Sequence, residues 1–352
     1  MADTGFLPKE KLNTLLEGLS KKFQVFVPVL EGDVVLFRRF VSGVTLCLTR
    51  PANLPPKGII FPQSETLFNF NFKKDPEDPK KTSLELKENL DFSLTVIFGG
   101  RPCDAQGFRI YDRVYLETDT ADPYYKGRRE KTTIITLTCN APSPGCFCTS
   151  VGRGPAESDG SDLMMTELEK GYFFEPITEK GKEILKDSLF EDGSAYKEQA
   201  QKAHEKVSAL VQKPFATLEG TPEKLLSLFD NNQFWEGETA KCISCGACTY
   251  LCPTCYCFNI TDEQVASGGE RIRSWDACMF SHFTLEASGH NPRPLKLNRL
   301  KNRVGHKFSY YPQKYDNVIA CCGCGRCIRY CPVSVDISEI VAHAQEYEDD
   351  KS

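Results

Sequence analysis

The first apolar pattern in the chain is helical. Leu12, Leu15, Leu16, Leu19 and Phe23 recur three and four residues apart, which predicts an amphipathic helix over 8–23. Short β-type runs follow at 24–29, 33–40, 44–48, 58–62 and 65–72. The charged stretch 73–90 reads as a loop with one helical turn. Ser93–Phe98 (SLTVIF) and Thr132–Thr138 (TTIITLT) are continuous apolar runs, the mark of strands buried in a partly parallel sheet. A helix is predicted between them, over 103–116. Residues 151–162 turn to Gly, Ser, Asp and Glu and read as a surface loop. Two short strands are predicted within 163–178 and a helix over 179–187. Residues 194–212 read as an exposed helix with one narrow apolar stripe. Thr221-Pro222 opens another helix, with proline at its first position.

These elements predict an α+β protein. An N-terminal mixed α/β domain occupies 1–220. A mainly helical domain occupies 221–352 and carries an insert over 253–320.

Composition then changes the picture. A net charge of -5 gives no whole-chain reason to expect nucleic acid. No run approaches the ~18 apolar residues of a membrane span. Met1 to Glu10 lacks the basic patch and apolar run of a secretory signal, so a cytoplasmic protein is expected. The chain holds 17 cysteines, of which twelve lie between Cys242 and Cys331. In that compartment, so many thiols point to metal ligation or redox chemistry and not to disulfides.

Two stretches decide which chemistry. Cys242-Ile-Ser-Cys245-Gly-Ala-Cys248-Thr-Tyr-Leu-Cys252-Pro253 and Cys321-Cys322-Gly-Cys324-Gly-Arg-Cys327-Ile-Arg-Tyr-Cys331-Pro332 share the spacing C-x2-C-x2-C-x3-C-P. That run is the ferredoxin pattern in which the fourth cysteine serves the other cluster. One 4Fe–4S cluster is therefore assigned to Cys242, Cys245, Cys248 and Cys331, and a second to Cys321, Cys324, Cys327 and Cys252. Three close thiolates wrap a loop around one face of a cubane, small Gly and Ala let the backbone approach, and the fourth cysteine is expected to start a helix. Structural zinc would instead show paired C-x2-C knuckles.

The insert adds Cys255, Cys257 and Cys278, which are either further metal ligands or packed thiols. In the N-terminal domain, Cys103 follows the first apolar strand and Cys139 follows the second. If both strands lie in one parallel sheet, both thiols emerge at its carboxyl edge. Cys146 and Cys148 sit in a Pro/Gly loop able to fold back there, giving four thiols for a third cluster or a set of reduced thiols. Cys47 and Cys322 read as unligated. Arg293, Lys296, Arg299, Lys301, Arg303 and Lys307 form a basic run. Such a run is usually a solvated face; near anionic clusters it can raise potentials or dock an acidic partner. His282 and His290 read as structural. Gly152-Arg-Gly154 is too short for a phosphate loop. No dinucleotide fingerprint and no nucleophile–base pattern is present, so no flavin or nucleotide site is expected on this chain.

With these residues in view, the sequence resembles the 4Fe–4S dicluster family that comprises the iron–sulfur subunits of anaerobic sulfite reductases and the beta (iron–sulfur) subunits of soluble sulfhydrogenases. The likeness covers most of the chain. It rests on Phe98-Gly-Gly-Arg-Pro-Cys103-Asp104, Asp122-Pro-Tyr-Tyr125, Cys146-Phe-Cys148, Cys252-Pro-Thr-Cys255-Tyr-Cys257, Trp275-Asp-Ala-Cys278, Gly289-His290-Asn291 and the final cysteine run. Cys322 departs from the family pattern, which has an apolar residue there; spacing favours Cys321 as the ligand.

The resemblance implies a member of a cytoplasmic complex in an anaerobe. It would relay single electrons between a flavin- and NAD(P)-binding subunit similar to ferredoxin reductase and a terminal subunit. The terminal unit would be a sulfite reductase, a nickel–iron hydrogenase or a heterodisulfide-reductase-like module. The family's extra cysteines also favour the third cluster. The rival expectation is a catalytic iron–sulfur subunit that reduces sulfite, polysulfide or a heterodisulfide at an open cluster.

Overall fold

The computed structural model describes residues 4–78 and 80–348. Its strands in chain order are β1 (Gly5–Pro8), β2 (Gln24–Glu31), β3 (Val34–Arg39), β4 (Ser64–Lys74), β5 (Thr82–Glu88) and β6 (Thr95–Gly100), then β7 (Thr132–Leu137), β8 (Leu163–Glu167), β9 (Gly171–Pro176), β10 (Glu191–Asp192), β11 (Phe258–Val265) and β12 (Gly268–Trp275). Eight of them form one mixed sheet in the order β10-β1-β9-β8-β7-β6-β2-β3. Its centre, β2, β6, β7 and β8, is parallel. The two continuous apolar runs thus supply neighbouring central strands, β6 and β7, each buried at every position, with Ser93 and Leu94 exposed ahead of β6.

Side-chain alternation assigns the two faces of this sheet. Val96, Phe98, Ile135 and Leu137 pack with Leu12, Leu15, Leu16 and Leu19 of the helix Leu12–Ser20. Ile97 and Ile134 face the other way, onto Phe108, Tyr111 and Tyr115 of the helix Pro102–Tyr115 and onto Tyr125. Asp122 caps the next helix, Pro123–Lys131, by accepting from the Tyr125 N–H at 2.7 Å.

A second, four-stranded sheet has the order β11-β12-β4-β5 and is antiparallel throughout. Its β11–β12 hairpin belongs to the insert 253–320, so that insert reaches back to pair with a strand near residue 70. Arg273 fastens the junction from within. It donates to Glu65 at 2.8 Å and to Asp122 at 2.5 Å, with its own side chain 4% exposed. The remaining C-terminal residues pack helices around Phe234, Trp235, Leu300, Val304, Phe308 and Val341. Phe147 and Val151 of the N-terminal half join that core.

Several expectations change. Residues 57–60 are a short helix and not a strand, because Ile59-Ile60-Phe61 is an apolar run too short to carry a period. The stretch 73–90 is the end of β4 plus β5, whose residues are all exposed. Charge on both faces hid the alternation of Leu84 and Leu86 with Ser83, Glu85 and Lys87. Within 44–48 only Leu46 bridges a strand, at Val29. The helix expected over 194–212 spans Lys197–Ser208. Neither Cys252 nor Cys331 starts a helix; each follows a one-turn helix, Ala247–Tyr250 or Arg326–Arg329. The sequence ends in an acidic stretch, Glu346–Asp350, of which the part beyond Glu348 lies outside the described residues.

Candidate metal centre

The two cysteine runs fold alike. Ser244 and Gly246 have φ of 57° and 76°, and Gly323 and Gly325, at the matching positions, have 62° and 69°. This left-handed backbone curls each loop inward, a shape that gathers N–H groups around an anionic centre. The Ser244 N–H donates to Cys242 Sγ at 3.4 Å and the Gly323 N–H donates to Cys321 Sγ at 3.4 Å. Cys321, not Cys322, is therefore the counterpart of Cys242 in backbone geometry.

The fourth cysteines cross over. Cys331 joins Cys242, Cys245 and Cys248 around one cavity, walled also by Cys327, Met279, Leu300 and Arg303. Cys252 joins Cys321, Cys324 and Cys327 around a second, with Cys322, Phe147, Arg303 and Lys307. The four N-terminal thiols gather as well. β6 and β7 run parallel in adjacent positions, so Cys103 and Cys139 leave the same sheet edge. Cys146 and Cys148 close over them in a third cavity, with Arg101, Cys324 and Arg326 in its wall.

The third set is pressed directly against the second cysteine run. The Phe147 N–H donates to the Gly323 carbonyl at 2.8 Å. A Cβ on Gly323 would lie 2.5 Å from the backbone of Cys148, so at this position only glycine satisfies both the left-handed φ and the close approach.

Cys255, Cys257 and Cys278 line none of these cavities. Cys255 lies beside Cys252, and Cys257 beside Cys278. Cys47 is buried in a small cluster with Val35 and Ala52. His282 is largely exposed beside Asp276, at 3.6 Å, and His290 is exposed.

Most of the basic run is not a solvated face: Arg299, Lys301, Arg303 and Lys307 are buried, while Lys296 is exposed. Arg299, Arg303 and Lys307 are spaced by four, one line along the helix Lys296–Gly305 and its π-helical continuation His306–Tyr310. Their exposures are 7%, 4% and 3%. Arg299 is held by the carbonyls of Met279 (2.9 Å), Arg293 (3.1 Å) and Pro294 (2.7 Å). Lys307 donates to Thr254 Oγ1 at 2.7 Å and to the Ala320 carbonyl at 3.1 Å. Lys57, 4% exposed, lies 4.2 Å over the Trp275 ring and donates to the Cys255 carbonyl at 2.9 Å. None of these cations has a carboxylate partner among the described residues. Arg326, fully buried, pairs with Asp104 at 2.9 Å, donates to the Ala52 carbonyl at 2.9 Å, and leaves Nη2 without a partner. Sequence reasoning gave Lys57 and Arg326 no role. Lys57 carries no local signal, whereas the four-residue spacing of Arg299, Arg303 and Lys307 was a legible one.

The donor set fits anionic clusters. Buried charges without counter-charges are costly, and Arg303 and Lys307, in the walls of the two dicluster cavities, would find theirs in cysteines that bind metal as thiolates. As free thiols, three of the cavity cysteines resist ionisation: burial pushes Cys139 up to about 11 and Cys148 and Cys321 up to about 12. Among the described residues no three His, Cys, Asp or Glu side chains close in tightly enough for a single ion. A cubane takes each thiolate at a different iron.

One titration sits beside this centre. Burial pushes His306 down to about 4, and its Nε2 faces Tyr256 Oη at 3.1 Å. The unfolded value is about 6.5. Below about pH 6.5 the unfolded chain binds a proton that the folded one refuses, so stability falls as pH drops toward 4, by up to about 3 kcal/mol. His306→Gln is expected to flatten the loss of melting temperature between pH 6.5 and 4 relative to wild type. An unchanged slope would assign the acid sensitivity elsewhere.

The fold and these cavities define an iron–sulfur protein of the dicluster class. The 4Fe-4S dicluster domain family matches residues 241–335. Sulfhydrogenase 2 subunit beta of Pyrococcus furiosus is 31% identical over 328 residues, covering 92% of this chain and 92% of that protein. The chain belongs to this family of 4Fe–4S sulfhydrogenase beta subunits. No solved structure matches it. Among the described residues no helix is long and apolar enough to cross a membrane.

Proposed function

We propose that this chain relays single electrons within a cytoplasmic oxidoreductase complex. Clusters would sit at Cys242, Cys245, Cys248 and Cys331, at Cys252, Cys321, Cys324 and Cys327, and at Cys103, Cys139, Cys146 and Cys148. The division into an N-terminal unit (1–220) and a C-terminal dicluster unit (221–352) follows the same reading. One observation carries it: the three cavities form a file with shared walls. Cys327 borders the first and second, and Cys324 borders the second and third.

A 4Fe–4S group, when bound, gains or loses one electron without moving a substrate atom. The chain's own residues do the rest. Arg303, Lys307 and Arg326 hold positive charge inside the file. Phe147, Met279 and Leu300 keep water out of it. The Ser244 and Gly323 amides fix the sulfurs they bond. At one end Cys245 is exposed and Ile243 beside it is 60% exposed, which suits entry or exit of electrons at a partner's surface.

The relative is one subunit of a sulfhydrogenase, which supports partner subunits here: a flavin- and NAD(P)-binding subunit on one side and a terminal hydrogenase or sulfur reductase on the other. Iron and acid-labile sulfide per chain on anaerobic protein test the reading. About twelve irons, four per cubane, are expected. About eight would demote the N-terminal thiols, and zinc in place of iron would sink the proposal. Gly323→Ala, which drives a methyl group into Cys148, is expected to cost about 1–3 kcal/mol and to lower iron below twelve. Full iron content in that variant would separate the third thiol set from the second motif.

A further inference from the structure

Arg303 occupies a place that no other cation in the chain shares among the described residues: it lines both the first and the second thiol cavity. It is 4% exposed, and two of its nitrogens, Nε and Nη2, have no hydrogen-bond partner. A buried guanidinium with idle N–H groups is costly unless acceptors arrive. The groups whose charge it feels include the thiols of Cys248 in the first cavity, Cys252 in the second, and Cys327, which borders both. Lys307, one turn further along the same helix, lines the second cavity alone.

Resting on the electron-transfer reading above, we propose that Arg303 is a positioning residue shared by the two dicluster sites, donating from one guanidinium to the sulfurs of both. A planar, permanently charged guanidinium carries five N–H donors on three nitrogens in a rigid fork, whereas an ammonium offers three rotating donors from a single atom. Its charge favours the reduced, more negative state on both sides. An electron passing between the two sites therefore stays near the same fixed charge: one site is oxidised as the other is reduced, and Arg303 does not have to move.

The test is an EPR-monitored redox titration of anaerobically purified full-length protein, with iron counted in each sample. In Arg303→Gln the reduced-to-oxidised ratio of both dicluster signals at a fixed potential is expected to fall about tenfold, equal to a shift of about 59 mV for a one-electron couple. In Lys307→Gln only one signal is expected to shift. A change in neither signal, or in only one, for Arg303→Gln overturns the proposal. If that variant loses iron, Arg303→Lys carries the test, since it keeps the charge and removes the fork. Both signals are expected to shift together there by less than tenfold, and a shift in one alone, or in none, is again the overturning result. Wild-type protein with no 4Fe–4S signal would instead defeat the electron-transfer reading itself.

Discussion

Asp104→Ala is expected to lower stability by about 3–5 kcal/mol, the usual cost of stripping one partner from a buried ion pair. The side chains of Asp104 and Arg326 are 2% and 0% exposed and meet at 2.9 Å. Asp104 also accepts the Arg101 N–H at 2.9 Å, closing the first turn of the helix that carries Cys103. Loss of that cap adds about 1 kcal/mol. Denaturant unfolding under anaerobic conditions measures the sum, and Asp104→Asn separates the parts, because it keeps an acceptor and removes the charge. The same pair reports on the third thiol set. Arg326 Nη1 lies 3.8 Å from Cys103 Sγ. An anionic centre at Cys103 would remain as a counter-charge after the substitution, so iron-loaded protein should lose less stability than iron-free protein. Equal losses would argue that no charge resides there.

Removing the iron is expected to have the larger effect. A chelator under reducing conditions should unfold much of 241–348 while the eight-stranded sheet keeps its protection from hydrogen exchange. Cys321 is itself a core member with Trp235, Leu300, Val304 and Phe308, and Cys242, Cys248 and Cys327 pack against them. Without clusters that core retains Arg303 and Lys307 as buried charges with no counter-ion, at several kcal/mol each, and binding energy of the metal is lost as folding energy. Trp235, 1% exposed in this core, gives a fluorescence readout. Native exchange protection across Cys242–Cys331 in iron-free protein would show that packing alone holds the C-terminal half.

The eight dicluster cysteines were legible because their chemistry is written in local spacing, and a loop of that spacing needs little from the rest of the chain. The N-terminal four were legible in part. Two apolar runs of the parallel-sheet type placed Cys103 and Cys139 at one edge, although nothing in the sequence ordered β6 next to β7. What escaped reading depends on distant partners. The hairpin Phe258–Trp275 lies in a stretch without an apolar face, and its mate is β4, about two hundred residues earlier. Lys57 belongs to a one-turn helix whose residues look like a strand, and only the folded chain brings it to the Cys255 carbonyl. The basic run was visible, and nearness to anionic clusters was one of its two readings; which of its residues turn inward was not legible, because that depends on how the helix Lys296–Gly305 packs.

The pairing of β12 with β4 bears on how the gene can be divided. A fragment beginning near residue 221 would contain both cysteine runs, yet β12 would present an open edge along Ser274–Gly268 where β4 now lies. Unpaired edges of that kind recruit other chains. The dicluster portion is thus not a module to be excised and fused elsewhere like a small ferredoxin; its solubility is lent by a strand encoded ahead of the boundary.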